Sequence, residues 1–347
     1  MIDYVKAVTM TVVSLATFAV NIPVIFVTSR SRRFENDSVA KLIASLAVSD
    51  FSNGVIAACC AGVVWSLRPG EQVPAWFSRL INSGMFTFAI CSIWHLAAVS
   101  VVKCVIIVRP LNYFTIFTDR VLRTLIVSIW TLSMIIGGAT NITVVDAHFD
   151  WSAMIVLVER QNPHYARLFG AVNAIVVVLV MMIAYMKVFL VVRRHMRCVQ
   201  PTVHGRFGST TTIFGSSVRS AKNLFVMCAA YYIMYLPVVM RIVFRAASLS
   251  VPGVVQFVIW WIYMSSSAVN AFLYIALHSA VRRELRRYLP RCRSSRVVPS
   301  LPLPVGDGGV HWYAASVNPD ARAYGTPVRT MTSPSQPVTK QLPLVVI

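Results

Sequence analysis

Residues 97–112 read A-A-V-S-V-V-K-C-V-I-I-V-R-P-L-N. The stretch is apolar, carries one cation at Lys103, turns apolar again and stops at Arg109-Pro110. Immediately upstream, residues 82–102 hold no charge and one awkward polar side chain, His95. A helix of that length crosses the roughly 30 Å hydrocarbon layer of a bilayer. Pro110 ends it, because proline has no N–H to donate and disfavours helical backbone at the preceding residue. Lys103 therefore stands where a membrane helix meets an aqueous face. Two readings of it stay open: the ammonium snorkels to the interface, or it serves the function of that end of the molecule.

The whole chain shares this character. Its 347 residues are 57% hydrophobic and only 13% charged, with a mean hydropathy of +0.68, far from a soluble globular composition. A net charge of +20 would suit nucleic acid if it lay in one basic domain. Here the cations sit between apolar runs, the pattern that orients a membrane protein, and no nucleic-acid partner is expected.

Seven apolar runs are legible, at 5–29, 39–67, 80–108, 122–145, 167–192, 221–247 and 253–277. An odd number puts the two termini on opposite sides. Of the 32 lysines and arginines, only Lys6, Arg68, Arg79, Arg160, Arg167, Arg241 and Arg245 fall on the side of the N-terminus. The positive-inside rule then predicts an extracellular N-terminus, a cytoplasmic C-terminus and a multi-pass protein of the plasma membrane. The first run is too long for a signal-peptide core and its basic cluster follows it, so it is expected to stay as a span. The domain reading is an extracellular terminus at 1–4, a seven-helix bundle at 5–277, an amphipathic surface helix at 278–292 and a disordered cytoplasmic tail at 293–347. Residues 141–167 are expected to form an outer loop, and Gln200 to Ser217, rich in Gly, Ser and Thr, a mobile inner one.

In S-A-V-R-R-E-L-R-R-Y-L, residues 279–289, Val281, Leu285, Tyr288 and Leu289 share one helical face and four arginines the other. Such a helix lies on anionic lipid, and Cys292 beyond it is a candidate lipidation site. No cysteine lies in a segment placed outside the cell, so no disulfide is expected, and no cysteine or histidine spacing suggests a structural metal.

Polar groups inside the spans mark a candidate site. Asp50 sits mid-run, where a carboxylate is costly and usually turns inward to a partner. Asn21, Ser92, Ser267 and Asn270 lie in three other runs. Converging, they would form a small pocket of oxygens around one carboxylate, suited to a small hard cation such as Na⁺. The alternative is a protonated Asp50 in a purely structural hydrogen-bond network. Pro237 interrupts the sixth run beside Tyr235, giving either a hinge or a tolerated irregularity. No nucleophile, base and orienting group occur at a recognisable spacing, so an enzyme is not expected. Nor do paired broken helices suggest a transporter.

Across residues 5–292 the chain resembles the rhodopsin-like (class A) G-protein-coupled receptors. Asn21, the Leu46-Ala47-Val48-Ser49-Asp50 run, Ser100 to Leu111 with Pro110 and Leu111 intact, Trp130, Tyr185, Tyr235-Leu236-Pro237 and Asn270-Ala271-Phe272-Leu273-Tyr274 match its landmarks, one per span and in order. The resemblance implies an all-α seven-helix membrane bundle with a short eighth helix. It implies coupling of an external ligand to a heterotrimeric G protein by outward movement of the sixth helix. Lys103, Tyr185 and Tyr274 would line the cytoplasmic cleft, with Tyr235 and Pro237 at the switch. The other reading of the same fold is a protein without G-protein coupling that acts as a scaffold, scavenger or partner of another receptor.

The departures from the pattern are specific. D-R-Y reads Val102-Lys103-Cys104, which loses the acid and the planar guanidinium fork. The tryptophan of W-x-P is Tyr235, and the proline of N-P-x-x-Y is Ala271. The cysteine expected at the outer end of the third span is Ser78. Met85 stands where amine receptors carry aspartate. The resemblance places Met85, Phe86, Tyr235, Arg241, Arg245, Gln256 and Trp260 around the ligand cavity, where two cations favour an acidic small molecule or peptide over an amine. Interface snorkelling is the alternative for Arg241 and Arg245.

Overall fold

The computed structural model describes residues 2–68, 71–140, 142, 144–160, 163–199, 208–246, 249 and 251–288. The inner-loop segment 200–207, Cys292, the tail 293–347, Asn141 and the side chain of Arg245 lie outside the described residues.

Seven long helices make the bundle: α1 (Ile2–Arg30), α2 (Ser38–Ser66), α3 (Ala75–Val108), α5 (Asp119–Ala139), α6 (Pro163–Val199), α7 (Gly208–Ala246) and α8 (Gly253–Leu277). Six contain apolar segments long enough to cross a membrane, and α7 contributes the shorter apolar segment Phe225–Arg241. Between α3 and α5 lies the single turn α4 (Tyr113–Ile116), and after α8 comes α9 (Ser279–Tyr288). The α3 helix ends as its sequence dictates, with Arg109 leaving helical geometry at φ −137° just before Pro110. Asp37 caps α2 by accepting from the backbone N–H of Val39 and Ala40, satisfying donors that a helix start leaves unpaired.

Around the bundle α1 packs on α2 and α8, α6 on α7 and α7 on α8, while α3 runs through the interior against α2, α5 and α6. Outward-facing side chains such as Leu15, Leu132, Ile135, Leu179, Ile183 and Phe272 are exposed and apolar, as expected where lipid is the solvent. Close helix approach needs small residues. At Gly137 an added methyl would collide with Thr87 Oγ1 of α3, and Ser83 donates to the Gly137 carbonyl at 2.8 Å.

Three segments differ from the sequence reading. The fourth span stops at Ala139, and Val144 already belongs to a strand. The expected outer loop is an antiparallel hairpin of β1 (Val144–Asp150) and β2 (Ile155–Arg160). Its signal was present as two-residue alternation, with Ala147 and Phe149 buried and Asp146 and His148 exposed. The expected inner loop is helical from Gly208, because extending an existing helix adds a hydrogen bond per residue and needs no new nucleus.

Candidate functional site

Asp50 is fully buried on α2. Ser92 of α3 donates to its Oδ1 at 2.8 Å, and Asn270 of α8 donates to its Oδ2 at 3.3 Å. Ser267 and Asn21 form the next layer. Asn53, one turn beyond Asp50, donates to Ser267 Oγ at 3.0 Å. Asn21 donates to the Ser267 carbonyl at 3.2 Å and to the Thr17 carbonyl at 2.9 Å. Asn21 therefore does not touch the carboxylate directly. Sequence reasoning missed Asn53, although its i+3 spacing from Asp50 put it on the same helical face.

Beside this network lies a cavity of about 10 Å³ lined by Asn21, Asp50, Asn270 and Tyr274 among apolar neighbours, space for one water-sized particle. Asn21 Oδ1 and Asn53 Oδ1 are buried without a hydrogen-bond partner among the described residues. A carboxylate, hydroxyls and unpartnered amide oxygens form a donor set that fits a small hard cation.

Toward the α9 end, Lys103 is only 4% exposed. That excludes snorkelling, since its ammonium turns into the bundle. Its Nζ lies 3.4 Å from His278 Nε2 and 3.8 Å from Met227 Sδ of α7. No carboxylate pairs with it among the described residues. The Tyr274 and His278 rings lie 4.4 Å apart. Tyr185 packs on Phe189 and, across to α7, on Phe225. Pro110 and Leu111 are exposed, Leu111 almost entirely. Nothing in the sequence paired His278 with Lys103, 175 positions away.

Part of the expected ligand cavity comes together, and it packs against the hairpin. Met85, Tyr235, Trp260, Tyr263 and Met264 share an apolar cluster with Phe149, Trp151 and Met154 of the hairpin. Tyr235 Oη donates to Tyr263 Oη at 3.4 Å. Phe86 is 40% exposed and lies on the flank, where its helical phase puts it once its neighbour Met85 faces inward. Gln256 donates to the Val251 carbonyl at 2.9 Å, and Arg241 is half-buried.

Cys59, Cys60, Cys91, Cys104 and Cys228 are free, and the hairpin, which has no cysteine, is held by contacts. Lys6 donates to the Ser152 carbonyl at 2.8 Å, and Trp151 Nε1 donates to the Glu71 carbonyl at 3.3 Å. Gly253, at the start of α8, sits so close to Ser152 that an added Cβ would lie 2.6 Å from its Oγ. Met154 completes the turn at a φ of +48°, a left-handed geometry uncommon for a residue with a side chain.

In α9, Val281 is buried and Leu285 packs with it against the bundle. Arg282 departs from the expected polar face, turning back to donate to the Ile275 and Ala276 carbonyls at the end of α8. There it satisfies groups that a helix C-terminus leaves open.

Comparison with known proteins agrees with this geometry. The pattern of the "7 transmembrane receptor (rhodopsin family)" matches residues 20–274. Trace amine-associated receptor 7d of Rattus norvegicus is 26% identical over 70% of this chain and 70% of its own length. Trace amine-associated receptor 8b of the same species is 26% identical over 72% and 75%, and the histamine H2 receptor of Cavia porcellus 23% over 77% and 74%. With a bundle of seven long helices, a buried acid between α2, α3 and α8, and a family match across most of its length, the chain is a member of the rhodopsin family of seven-transmembrane receptors, and a receptor, not an enzyme.

Proposed function

We propose that this receptor sits in the plasma membrane with its hairpin outside and α9 on the cytoplasmic leaflet, and that it passes an external signal to a heterotrimeric G protein. The observation that carries the reading is Lys103, a buried cation at the foot of α3 in contact with Met227 of α7. Moving the inner end of α7 outward would cost that ammonium only a weak thioether contact and would open the space below it. Pro237, which lacks the N–H for an intrahelical bond, supplies the hinge. Tyr235, bonded to Tyr263, links the hinge to the apolar cluster under the hairpin. A ligand then acts by favouring the active arrangement over the resting one.

Asp50, Asn270 and Asn21, which line the adjacent cavity, would hold a sodium ion there, with Ser92, Ser267 and Asn53 bonded behind them. The ion would supply a compact positive charge to the buried carboxylate. Sodium chloride, compared with N-methylglucamine chloride, is expected to raise the Tm of the purified receptor, and Asp50→Asn to abolish the difference.

The ligand we propose is an acidic small molecule or peptide. The relatives' names point to trace amines and histamine. In this chain, however, Met85 sits in an apolar cluster, and the cation Lys6 is buried at the same end. Membrane lipid is a further partner, through the arginines of α9.

The scaffold reading draws on the missing acid beside Lys103 and on Ala271 in place of proline. Agonist-free second-messenger output at matched surface expression separates the two. Coupling through Lys103 predicts a clear drop for Lys103→Ala. Equal output from the two receptors counts against that role, and no exchange on any G protein with any ligand favours the scaffold.

A further inference from the structure

The surroundings of Lys103 come from distant parts of the chain, and hydrogen-bond polarity makes them informative. His278 Nδ1 lies 3.2 Å from the Tyr274 carbonyl. A carbonyl only accepts, so Nδ1 carries the proton and Nε2 presents its lone pair. The Lys103 ammonium has three donors and no acceptor, and it lies 3.4 Å from that lone pair. The bonds therefore run one way, from Lys103 through the neutral His278 ring to the Tyr274 carbonyl.

The neighbouring charges and titratable groups favour this neutral state. On α3 the facing group is Lys103 itself. On α8 it is Tyr274. From α9, Arg282 approaches with its guanidinium on the α8 carbonyls. Asp37 is committed to the N-terminus of α2. Burial, and then the Lys103 charge, push His278 down to about 4.

Building on the coupling reading above, we propose that His278 is the positioning partner of Lys103. In the resting receptor it accepts the ammonium as a neutral base and holds it at the α8–α9 junction, out of the space a G protein would enter. Release of that bond is part of switching on. This arrangement accounts for lysine at the position. One imidazole lone pair meets a point-like ammonium, whereas a guanidinium fork would want a bidentate acid. A charge-to-neutral bond is also a weaker restraint than a buried ion pair, so agonist-free signalling is an expected property of the receptor.

The test uses the full-length receptor in lipid nanodiscs, with agonist-free nucleotide exchange on a panel of purified G proteins and thermal unfolding read in parallel. His278→Leu removes the acceptor and is expected to raise exchange several-fold. His278→Gln, whose amide oxygen can accept, should return it near the wild-type level. His278→Glu, which can form an ion pair, should drop it below wild type. His278→Leu should also lower the Tm when Lys103 is present but not in a Lys103→Met background. Equal Tm loss in both backgrounds overturns the pairing. Measurable exchange without the expected order overturns the switching role alone. Silence of wild type and every variant, with the Tm dependence intact, overturns the switching role together with the coupling reading.

Discussion

Asp50 and Lys103 are both buried ionisable groups in the helical bundle, and their surroundings differ in kind. Asp50 is met at 2.8 and 3.3 Å by side chains from two other helices, with a further layer of amide and hydroxyl behind them. Among the described residues Lys103 meets neutral groups, at 3.4 and 3.8 Å. Well-placed donors hold a buried group in one arrangement, whereas an ammonium with long contacts to an imidazole and a thioether is held loosely. The acid thus marks the part of the bundle built to stay, and the cation the part able to let go. Lys6 gives a third case: a buried cation with a carbonyl at 2.8 Å, an acid at 3.4 Å and the Phe257 ring beneath it.

The largest effect is expected from Asp50→Ala, which leaves Ser92 and Asn270 with buried, unmatched donors. Thermal unfolding in detergent should report a loss of about 2–4 kcal/mol, and an unchanged Tm would break the contrast. Lys103→Met should behave oppositely. Replacing a poorly paired buried cation by an apolar side chain of similar length is expected to leave stability unchanged or raise it by about 1 kcal/mol. A loss as large as that of Asp50→Ala would mean that Lys103 is firmly held after all.

Lys6→Met sharpens the comparison from the hairpin side. It removes a charge-assisted bond and a cation–π contact, and a loss of roughly 1 kcal/mol is expected, with faster proteolysis of residues 144–160 as the local readout. A further effect is expected from pH. His278 falls from an ordinary 6.5 to about 4 in the folded protein, so the unfolded chain takes up a proton first as pH is lowered. Stability should be flat above about 6.5 and decline from there toward about 4, and His278→Gln should flatten that decline.

Much of this was open to a reader of the sequence, and for identifiable reasons. The positions of the spans follow from hydropathy because each is a local property of some twenty neighbouring residues. Asp50 announced itself because an acid in an apolar run needs an explanation. Asn53 was readable by its spacing. The hairpin was readable only in part, since the D-A-H-F-D alternation is short and lies beside a much stronger helical signal. The packing of Phe149 and Met154 beside Met85 was not readable, since it depends on where a strand rising about 3.3 Å per residue folds back.

By itself the sequence determined where the apolar spans lie, because transfer of apolar side chains out of water depends on composition and period alone, and its landmark residues, one per span, carried the likeness to the rhodopsin-like receptors. Tertiary structure decided which groups share a buried neighbourhood: Ser92 and Asn270 with Asp50, the hairpin with Met85 and Trp260, and His278 with Lys103. Hydrogen bonds act over about 3 Å, and no local pattern records which residues, scores of positions apart, the packing of helices will bring within that reach.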